Sequence, residues 1–268
     1  MVLADSCFNL THDSFDHDLY DVIEEAQNEG IEYFFTPSSS KLDIEKIFYA
    51  TEKISNLYVG VGIHPHHASE INLQTADEFK GYAKHNKVVA IGEIGLDYFR
   101  NFQSPSIQKK CFDLFLGIAT DMHKPVFLHH REAFNDFYPM VKNSLPNLPQ
   151  SIVHCFTGTK DELKAFLDLG LYIGITGWIC DPKRGMDVRD LLKYIPTDRL
   201  IVETDAPYLM PKNLAVKPKN RRNEPKYLIN VVEEISSATN IKAQTIAEAS
   251  TKNFKRDRKS TRLNSSHQ

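Results

Sequence analysis

The sequence predicts a single-domain α/β fold, a closed (β/α)8 barrel. Its 268 residues match the roughly 250 residues typical of that fold. Apolar runs rich in β-forming residues alternate with helical patterns, as in βα units that build a parallel sheet. A doubly wound open sheet would carry a glycine-rich loop after the first run, and none is present. The predicted strands are Leu3–Phe8, Glu32–Thr36, Tyr58–Ile63, Val88–Ile91, Pro125–Leu128, Ser151–Phe156, Leu171–Ile175 and Leu200–Val202.

Amphipathic segments lie between these runs and carry helix-termination signals. "DLYDVIEEAQNEG" and "DELKAFLDLG" end in Gly30 and Gly170, where a helix would be capped by a residue in the left-handed conformation. Near the carboxyl end, Pro225 is placed to begin a helix, because its missing N–H group is not needed there. Each strand is therefore predicted to feed a helix that returns the chain to the next strand.

The composition excludes several classes of protein. Hydrophobic content of 41% and charged content of 25% are ordinary for a globular protein, and no run approaches the ~18 apolar residues of a membrane span. The N-terminus lacks the basic region of a secretion signal. The four cysteines form no CxxC and indicate reduced thiols in the cytoplasm. A net charge of −3 disfavours a non-specific nucleic-acid coat. We expect a cytoplasmic monomer with no membrane partner.

Ionisable residues follow several of the predicted strands. In a (β/α)8 barrel the chemistry lies at the carboxyl ends of the strands, so these side chains are predicted to converge at one opening. Strand alternation places His129 on the same face as Phe127, and Glu203 on the same face as Asp205. The residues at these strand ends are His64, Glu93, His129, His154, Glu203 and Asp205.

Carboxylates and imidazoles together form a set of ligands for a divalent metal such as Mg²⁺, Mn²⁺ or Zn²⁺. Glu93, His129, His154 and Asp205 come from four different strand ends and together favour a metal site, because leaving such groups buried without partners costs several kcal/mol each. His66, His67 and His130 lie just past strand ends and are interpreted as structural loop residues, not as metal ligands. Arg131 has two open roles, pairing with a carboxylate or binding a phosphate.

A cationic segment, "KPKNRRNEP", follows the last predicted strand. Most charge runs are solvated loops, but this one adjoins Glu203 and Asp205, and its position predicts contact with a phosphate backbone. Arg221 and Arg222 are the candidates, together with Arg131. Tyr98, with its neighbour Phe99, follows Glu93 and is a candidate for stacking on a base; packing inside the protein is the equal alternative for these rings.

The ordered strings "GVGIHPH", "AIGEIGLDYFRNF", "PVFLHHREA", "HCFTGT", "YIGITGWICDPKRG", "ETDAPYLMP" and "RRNEP" resemble those of the TatD family of metal-dependent deoxyribonucleases. The resemblance extends from about residue 3 to residue 254. It implies a (β/α)8 barrel of the metallo-dependent hydrolase superfamily. It also implies a Mg²⁺-dependent nuclease that degrades DNA, largely 3′→5′ on single strands and with RNA as a further candidate, in DNA degradation and repair.

The resemblance implies roles for the strand-end residues. Glu93, His129 and His154 match the metal ligands of the family. Asp205 matches the aspartate of the last strand, which binds metal and orients or deprotonates the attacking water. Glu203 and His64 match further positions in the active site.

The first strand departs from the wider superfamily, in which a His-x-His pair completes a two-metal site. Here Asn9 and Thr11 stand at those positions, and His12 is one position away with the wrong strand parity. We therefore expect one firmly bound metal and a second that binds weakly or with substrate.

Two rival functions stay open on the sequence alone. One is a metallo-hydrolase of a small ester, amide or phosphotriester, which often uses a carbamylated lysine on the fourth strand; Glu93 stands on that strand here. The other is a barrel that binds nucleic acid without cleaving it. Product release from single-stranded DNA separates both from a nuclease.

The last residues read differently from the rest of the chain. "KSTRLNSSH" resembles translated synthetic linker sequence, and such a segment does not contribute to the native fold. We predict a barrel domain over residues 1–256 and a non-native, disordered tail over residues 257–268.

Overall fold

The computed structural model describes residues 1–264, with side chains through residue 256. Parallel strands form one sheet in sequential order. They are β1 (Leu3–Asp5), β2 (Ile31–Pro37), β3 (Leu57–Val61), β4 (Val88–Asp97), β5 (Val126–Arg131), β6 (Ile152–Val153), β7 (Tyr172–Ile175) and β8 (Leu200–Val202). Hydrogen bonds between the segments that follow β8 and β1, Asp205 N–H to Cys7 O (2.8 Å) and Asn9 N–H to Ala206 O (2.9 Å), bring the sheet edges together. The predicted (β/α)8 barrel is confirmed.

Helices cover the outside of the sheet. They are α1 (Leu19–Asn28), α2 (Asp43–Lys53), α3 (Thr75–Ala83), α4 (Pro105–Met122), α5 (Phe134–Ser144), α6 (Lys160–Asp168), α7 (Met186–Leu191), α8 (Leu228–Thr239) and α9 (Ala243–Asn264). Gly30 and Gly170 follow α1 and α6 with φ of 89° and 77°, so the predicted left-handed caps are present. Pro225 begins a short 3-10 helix that leads into α8.

Several predicted strand ends differ from the observed ones. β5 runs three residues beyond the predicted end at Leu128, and β3 ends two residues before Ile63. β4 runs six residues beyond the predicted end at Ile91 and finishes at Asp97. β1 and β6 are shorter than predicted. His130, interpreted as a loop residue, lies inside β5; its side chain faces the helix layer, with its ring centroid 4.9 Å from that of Phe137.

The carboxyl-terminal helix α9 reaches Asn264 and so enters the segment predicted to be a disordered tail. Of residues 257–268, the structure describes the backbone of 257–264 and no side chains. The predicted domain boundary at residue 256 and the non-native origin of this segment stay predictions, and residues 265–268 lie outside the described part of the chain. Within the described part of the chain, no helix is both long enough and apolar enough to cross a membrane.

Candidate metal centre

The Glu93 carboxylate is the centre of the predicted site. Its Oε1 lies 2.8 Å from Nδ1 of His129, 2.8 Å from Nε2 of His154 and 3.4 Å from Nε2 of His64. All four side chains are largely buried. They come from β4, β5 and the segments after β6 and β3, so the predicted convergence of these strand ends on one opening is present in the structure.

Local backbone features place these groups. The pairing of β4 with β5 shifts register between Ile91 and Ile94, and Glu93 lies in this irregular stretch. Its N–H donates to Ser38 O (3.1 Å) beyond the end of β2. On β5, Phe127 and His129 share the inner face as predicted, and the Phe127 ring lies 4.9 Å from that of His154. An apolar layer therefore closes the barrel beneath the polar pocket.

A buried carboxylate stands behind each of two imidazoles. Nε2 of His129 lies 3.2 Å from Oδ2 of Asp97, and Nδ1 of His154 lies 3.2 Å from Oε2 of Glu203. When a histidine binds a metal, a carboxylate in this position holds the hydrogen on the ring nitrogen that faces the carboxylate, so that the other nitrogen can bind the ion. In both rings that other nitrogen faces Glu93.

These contacts set opposite pKa shifts on the two kinds of group. Burial would raise the pKa of Glu93, but the charge of His154 and the hydrogen bonds of His129 and His154 hold it well below its usual range. Burial would lower the pKa of His154, but Glu93, Cys7 and Glu203 hold it well above its usual value. Glu93 is therefore a carboxylate, the form that binds a cation.

Asp97 belongs to the site and was missed from the sequence, and His66 contacts it. Asp97 is fully buried at the end of β4 and also accepts from Nε2 of His66 (2.8 Å) and from Arg100. Burial would raise the pKa of Asp97, but hydrogen bonds from His129 and His66 lower it strongly. His66, predicted to lie on a loop, lies instead on the short helix Pro65–Glu70, and its hydrogen bond to Asp97 is the structural role predicted for it. The even spacing of 93 and 97 along a longer strand could have indicated Asp97.

Glu203 is fully buried, and burial raises its pKa. Its Oε2 accepts from the Cys155 N–H (3.2 Å), whereas its Oε1 has no hydrogen-bond partner among the described residues. The neighbouring residue Gly174 makes room for it, because a Cβ there would lie 1.8 Å from this Oε1. A buried carboxylate oxygen without a donor fits a pocket built for a cation.

Asp205 lies beside the Glu93 cluster and is hydrogen-bonded to residues of the segment that follows β1. Its Oδ1 accepts from Nδ2 of Asn9 (2.9 Å) and from the Cys7 thiol (3.5 Å). Burial raises the pKa of Asp205, which makes its carboxylate a better base. Asn9 therefore orients Asp205, and coordination of metal by Asp205 stays a prediction.

His64 differs from the other two imidazoles. Its Nδ1 accepts from the His66 backbone N–H (3.1 Å), so in the neutral ring the hydrogen lies on Nε2, which faces Glu93. Burial lowers its pKa to about 4, so the ring is neutral near pH 7. His64 is placed to donate a hydrogen bond, in keeping with its predicted position in the active site and distinct from a ligand.

Two groups of side chains in the described part of the chain have metal-ligand geometry. His64, Glu93 and His129 form one, and Cys7, His154 and Glu203 form the other, each with its ligand atoms within 4.8 Å of one another. Burial raises the pKa of Cys7, so its thiol is protonated. The carboxylate and imidazole atoms around Glu93 fit a divalent cation, with the thiol as a neighbour.

The predicted substrate-binding residues have diverse environments. Arg131 ends β5 and donates to Thr157 Oγ1 (2.6 Å). Arg222 is engaged internally by Asp18 and Glu224, which argues against a phosphate contact, whereas Arg221 is exposed. The Tyr98 hydroxyl donates to Asp136 (2.7 Å) and its ring packs on the core, which favours the packing alternative.

Known proteins place this geometry in a family. The family model described as TatD related DNase matches residues 4–257. The chain belongs to the TatD related DNase family. TatD relatives named 3′-5′ ssDNA/RNA exonuclease include one from Rahnella sp. (strain Y9602), 44% identical over 85% of this chain and 87% of the relative. Another, from Edwardsiella piscicida, is 42% identical over 87% of this chain and 90% of the relative. The predicted family and enzyme class, a nuclease that hydrolyses phosphodiester bonds, are confirmed.

Solved TatD structures share the whole fold. A TatD homolog from Escherichia coli K12, YJJV, matches with a TM-score of 0.86 at 25% identity, over 94% of this chain and 96% of that one. A TatD family hydrolase from Entamoeba histolytica matches with a TM-score of 0.85 at 27% identity, over 95% of this chain and 97% of that one. A phosphotriesterase homology protein from Escherichia coli, at 11% identity and a TM-score of 0.67, shares the fold alone.

Proposed function

We propose that the protein is a Mg²⁺-dependent exonuclease that removes nucleotides from the 3′ ends of single-stranded DNA, and of RNA. One observation carries the proposal. A single carboxylate oxygen of Glu93 is shared at 2.8 Å by one nitrogen each of His129 and His154, and each ring is backed by a buried carboxylate. The names of the 44% and 42% identical relatives support the polarity and the substrates.

In this mechanism Glu93, His129 and His154 would hold the metal. A divalent cation bound there would make water more acidic and stabilise charge on the phosphoryl oxygens. Asp205, with its raised pKa and its orientation fixed by Asn9, accepts the proton of the attacking water. Nε2–H of His64 donates to a phosphoryl oxygen at the reacting centre.

The groups behind the ligands position them. Asp97 fixes His129, and Glu203 fixes His154, each through the ring nitrogen remote from Glu93. Arg131 binds a neighbouring phosphate. The donor set mixes carboxylate with imidazole, so Mn²⁺ and Zn²⁺ are also accepted. Asn9 and Thr11 supply no imidazole, which supports one firm metal and a weaker second.

Digestion of end-labelled single-stranded oligonucleotides tests this function. With Mg²⁺, a 5′-labelled strand is expected to shorten stepwise from its 3′ end, and EDTA is expected to stop the reaction. Mn²⁺ and Zn²⁺ are compared in parallel, and an RNA of the same sequence is included. If the labelled 5′ nucleotide were released before the strand shortened from its 3′ end, the proposed 3′→5′ polarity would be overturned.

The same assay separates the two rivals. A metallo-hydrolase of a small ester, amide or phosphotriester leaves the oligonucleotide intact and cleaves the small compound, while a binding barrel retains the strand uncut over hours. We also propose that the protein acts in the cytoplasm as a monomer, in DNA degradation and repair. Its four free cysteines support a reducing compartment, and sedimentation at several concentrations tests the monomer.

A further inference from the structure

Exposed phenylalanines are concentrated at one place on the molecule. Of the sixteen phenylalanines, all within the described residues, two are exposed: Phe99 at 58% and Phe102 at 67%. Both lie in the segment 98–104 between β4 and α4, directly after the strand that carries Glu93 and Asp97. A phenyl ring in water forfeits the free energy of its burial, so two of them in one loop at the barrel mouth indicate a surface that meets a ligand.

Phe102 is linked to the metal centre through one imidazole. Its ring centroid lies 4.7 Å from that of His66. The His66 ring lies 4.2 Å from that of His64, and its Nε2 lies 2.8 Å from Asp97. A nucleotide whose phosphate reaches His64 would therefore have its base within reach of the exposed Phe102 ring.

Phe99 takes part in a second arrangement at the same opening. The Arg131 guanidinium lies 5.0 Å from the Phe99 ring centroid and 5.3 Å from that of Trp178, and it donates to Thr157. The guanidinium of Arg184 also lies near Trp178, 4.8 Å from its ring centroid. The segments after β4, β6 and β7 thus hold a cation between aromatic rings, in a fixed orientation.

We propose that Phe102 stacks on the base of the nucleotide at the metal centre, while Arg131, held between Phe99 and Trp178, binds the next phosphate. Rings that alternate with cations match the alternating bases and phosphates of a single strand. A base can present its face to Phe102 only when it is unstacked and unpaired, so this surface would select single strands over duplexes. The inference rests on the proposed function and names residues that determine its specificity.

Binding of uncut oligonucleotides tests the proposal. In the Asp205→Asn background with Mg²⁺, anisotropy gives the Kd of a single-stranded oligonucleotide and of an abasic oligomer of equal length and charge. The base preference is the Kd of the abasic oligomer divided by the Kd of the oligonucleotide. We expect Phe102→Ala to lower this ratio about tenfold, as loss of one stacked base would, and Phe102→Trp to preserve it. Tyr49→Ala, an equally exposed ring on α2, is the matched control and should not change it.

The outcomes are separable. An unchanged ratio in Phe102→Ala would overturn the proposal. So would a parent protein that forms dimers through this loop, seen as sedimentation that reverts to monomer in Phe102→Ala with the base preference intact. Failure of the parent to cleave DNA would instead remove the proposed function, because the binding ratio is read without cleavage. Circular dichroism of each variant confirms folding.

Discussion

At the scale of single residues, His129 and His154 have the same arrangement. Each presents one ring nitrogen to Glu93 and the other to a buried carboxylate. Fixing the tautomer in this way raises the basicity of the ligating nitrogen. The Nδ1 of His64 accepts from a backbone N–H instead, which supports the proposal of two metal ligands and one hydrogen-bond donor among the three imidazoles around Glu93.

Loss of a ligand should therefore differ from loss of the carboxylate behind it. We expect His129→Ala to weaken Mn²⁺ binding by about a hundredfold and Asp97→Asn by about tenfold, because Asp97 acts only through the orientation of His129. Isothermal titration calorimetry measures both affinities. His67→Ala, a more exposed histidine paired with Glu70, is the control. An unchanged affinity in His129→Ala would contradict its role as a ligand.

Asp205 should be needed for the chemical step and not for binding. Replacing it with Asn keeps the size of the side chain and removes the base, so Asp205→Asn should reduce kcat by about 10²–10⁴-fold with little change in oligonucleotide Kd. Single-turnover cleavage and anisotropy measure the two quantities separately. A cleavage rate close to that of the parent would remove Asp205 from the mechanism.

At the scale of elements, β7 contributes to the site by leaving space for a neighbouring side chain. Gly174 lies in the middle of β7, and the missing Cβ leaves room for the buried Glu203 carboxylate. An alanine there would displace Glu203 and with it the partner of His154. The strand therefore makes room for the Glu203 carboxylate without offering a side chain of its own.

Gly174→Ala should lower the free energy of unfolding by about 1–3 kcal/mol, as overpacking does, and weaken Mn²⁺ binding. Urea unfolding and calorimetry measure these effects. Gly117→Ala is the matched control: it lies on α4 with nothing within 4 Å of the new Cβ and should raise stability by about 0.5–1 kcal/mol. If Gly174→Ala bound Mn²⁺ like the parent, the link through Glu203 would be wrong.

The outer face of β5 should make stability depend on pH. His130 packs on Phe137 and Phe166, and burial lowers its pKa from 6.5 to about 4. The unfolded chain therefore binds this proton more readily, so the free energy of unfolding falls as pH decreases from 6.5 towards 4, by up to about 3 kcal/mol.

His130→Leu should remove that part of the dependence. Urea unfolding at several pH values between 6.5 and 4 is compared in the parent, in His130→Leu and in His85→Ala, which changes an exposed histidine. We expect a shallower slope in His130→Leu alone. Parallel slopes in all three proteins would contradict burial of a neutral His130.

The sequence indicates elements better than contacts between them. Alternation of strands and helices is a local pattern, so the barrel and the caps at Gly30 and Gly170 could be predicted. The pairing of His66 with Asp97 joins the segment after β3 to the end of β4 and depends on how the strands assemble. The sequence also does not distinguish the environments of two adjacent arginines: Arg221 is exposed, whereas the Arg222 side chain is only 10% exposed.

At the scale of the whole molecule, Arg222 joins the end of the barrel to its beginning. Its guanidinium lies 2.6 Å from Asp18 and 2.8 Å from Glu224, and its planar face lies over Phe15 at 4.6 Å. Asp18 and Phe15 precede α1, while Glu224 precedes α8. The last strand and the first strand close the sheet, and this ion pair ties together the segments outside that closure.

Arg222 and Arg221 should therefore respond differently to the same substitution. Arg222→Gln should lower the free energy of unfolding by about 2 kcal/mol, because it leaves the buried Glu224 without its guanidinium partner. Arg221→Gln should leave stability unchanged. If Arg221 contacts a phosphate as predicted, its replacement should lower the slope of log Kd against log salt by about 1. Urea unfolding and anisotropy at several salt concentrations measure both variants; a stable Arg222→Gln protein with a reduced salt slope would restore Arg222 to the nucleic-acid interface.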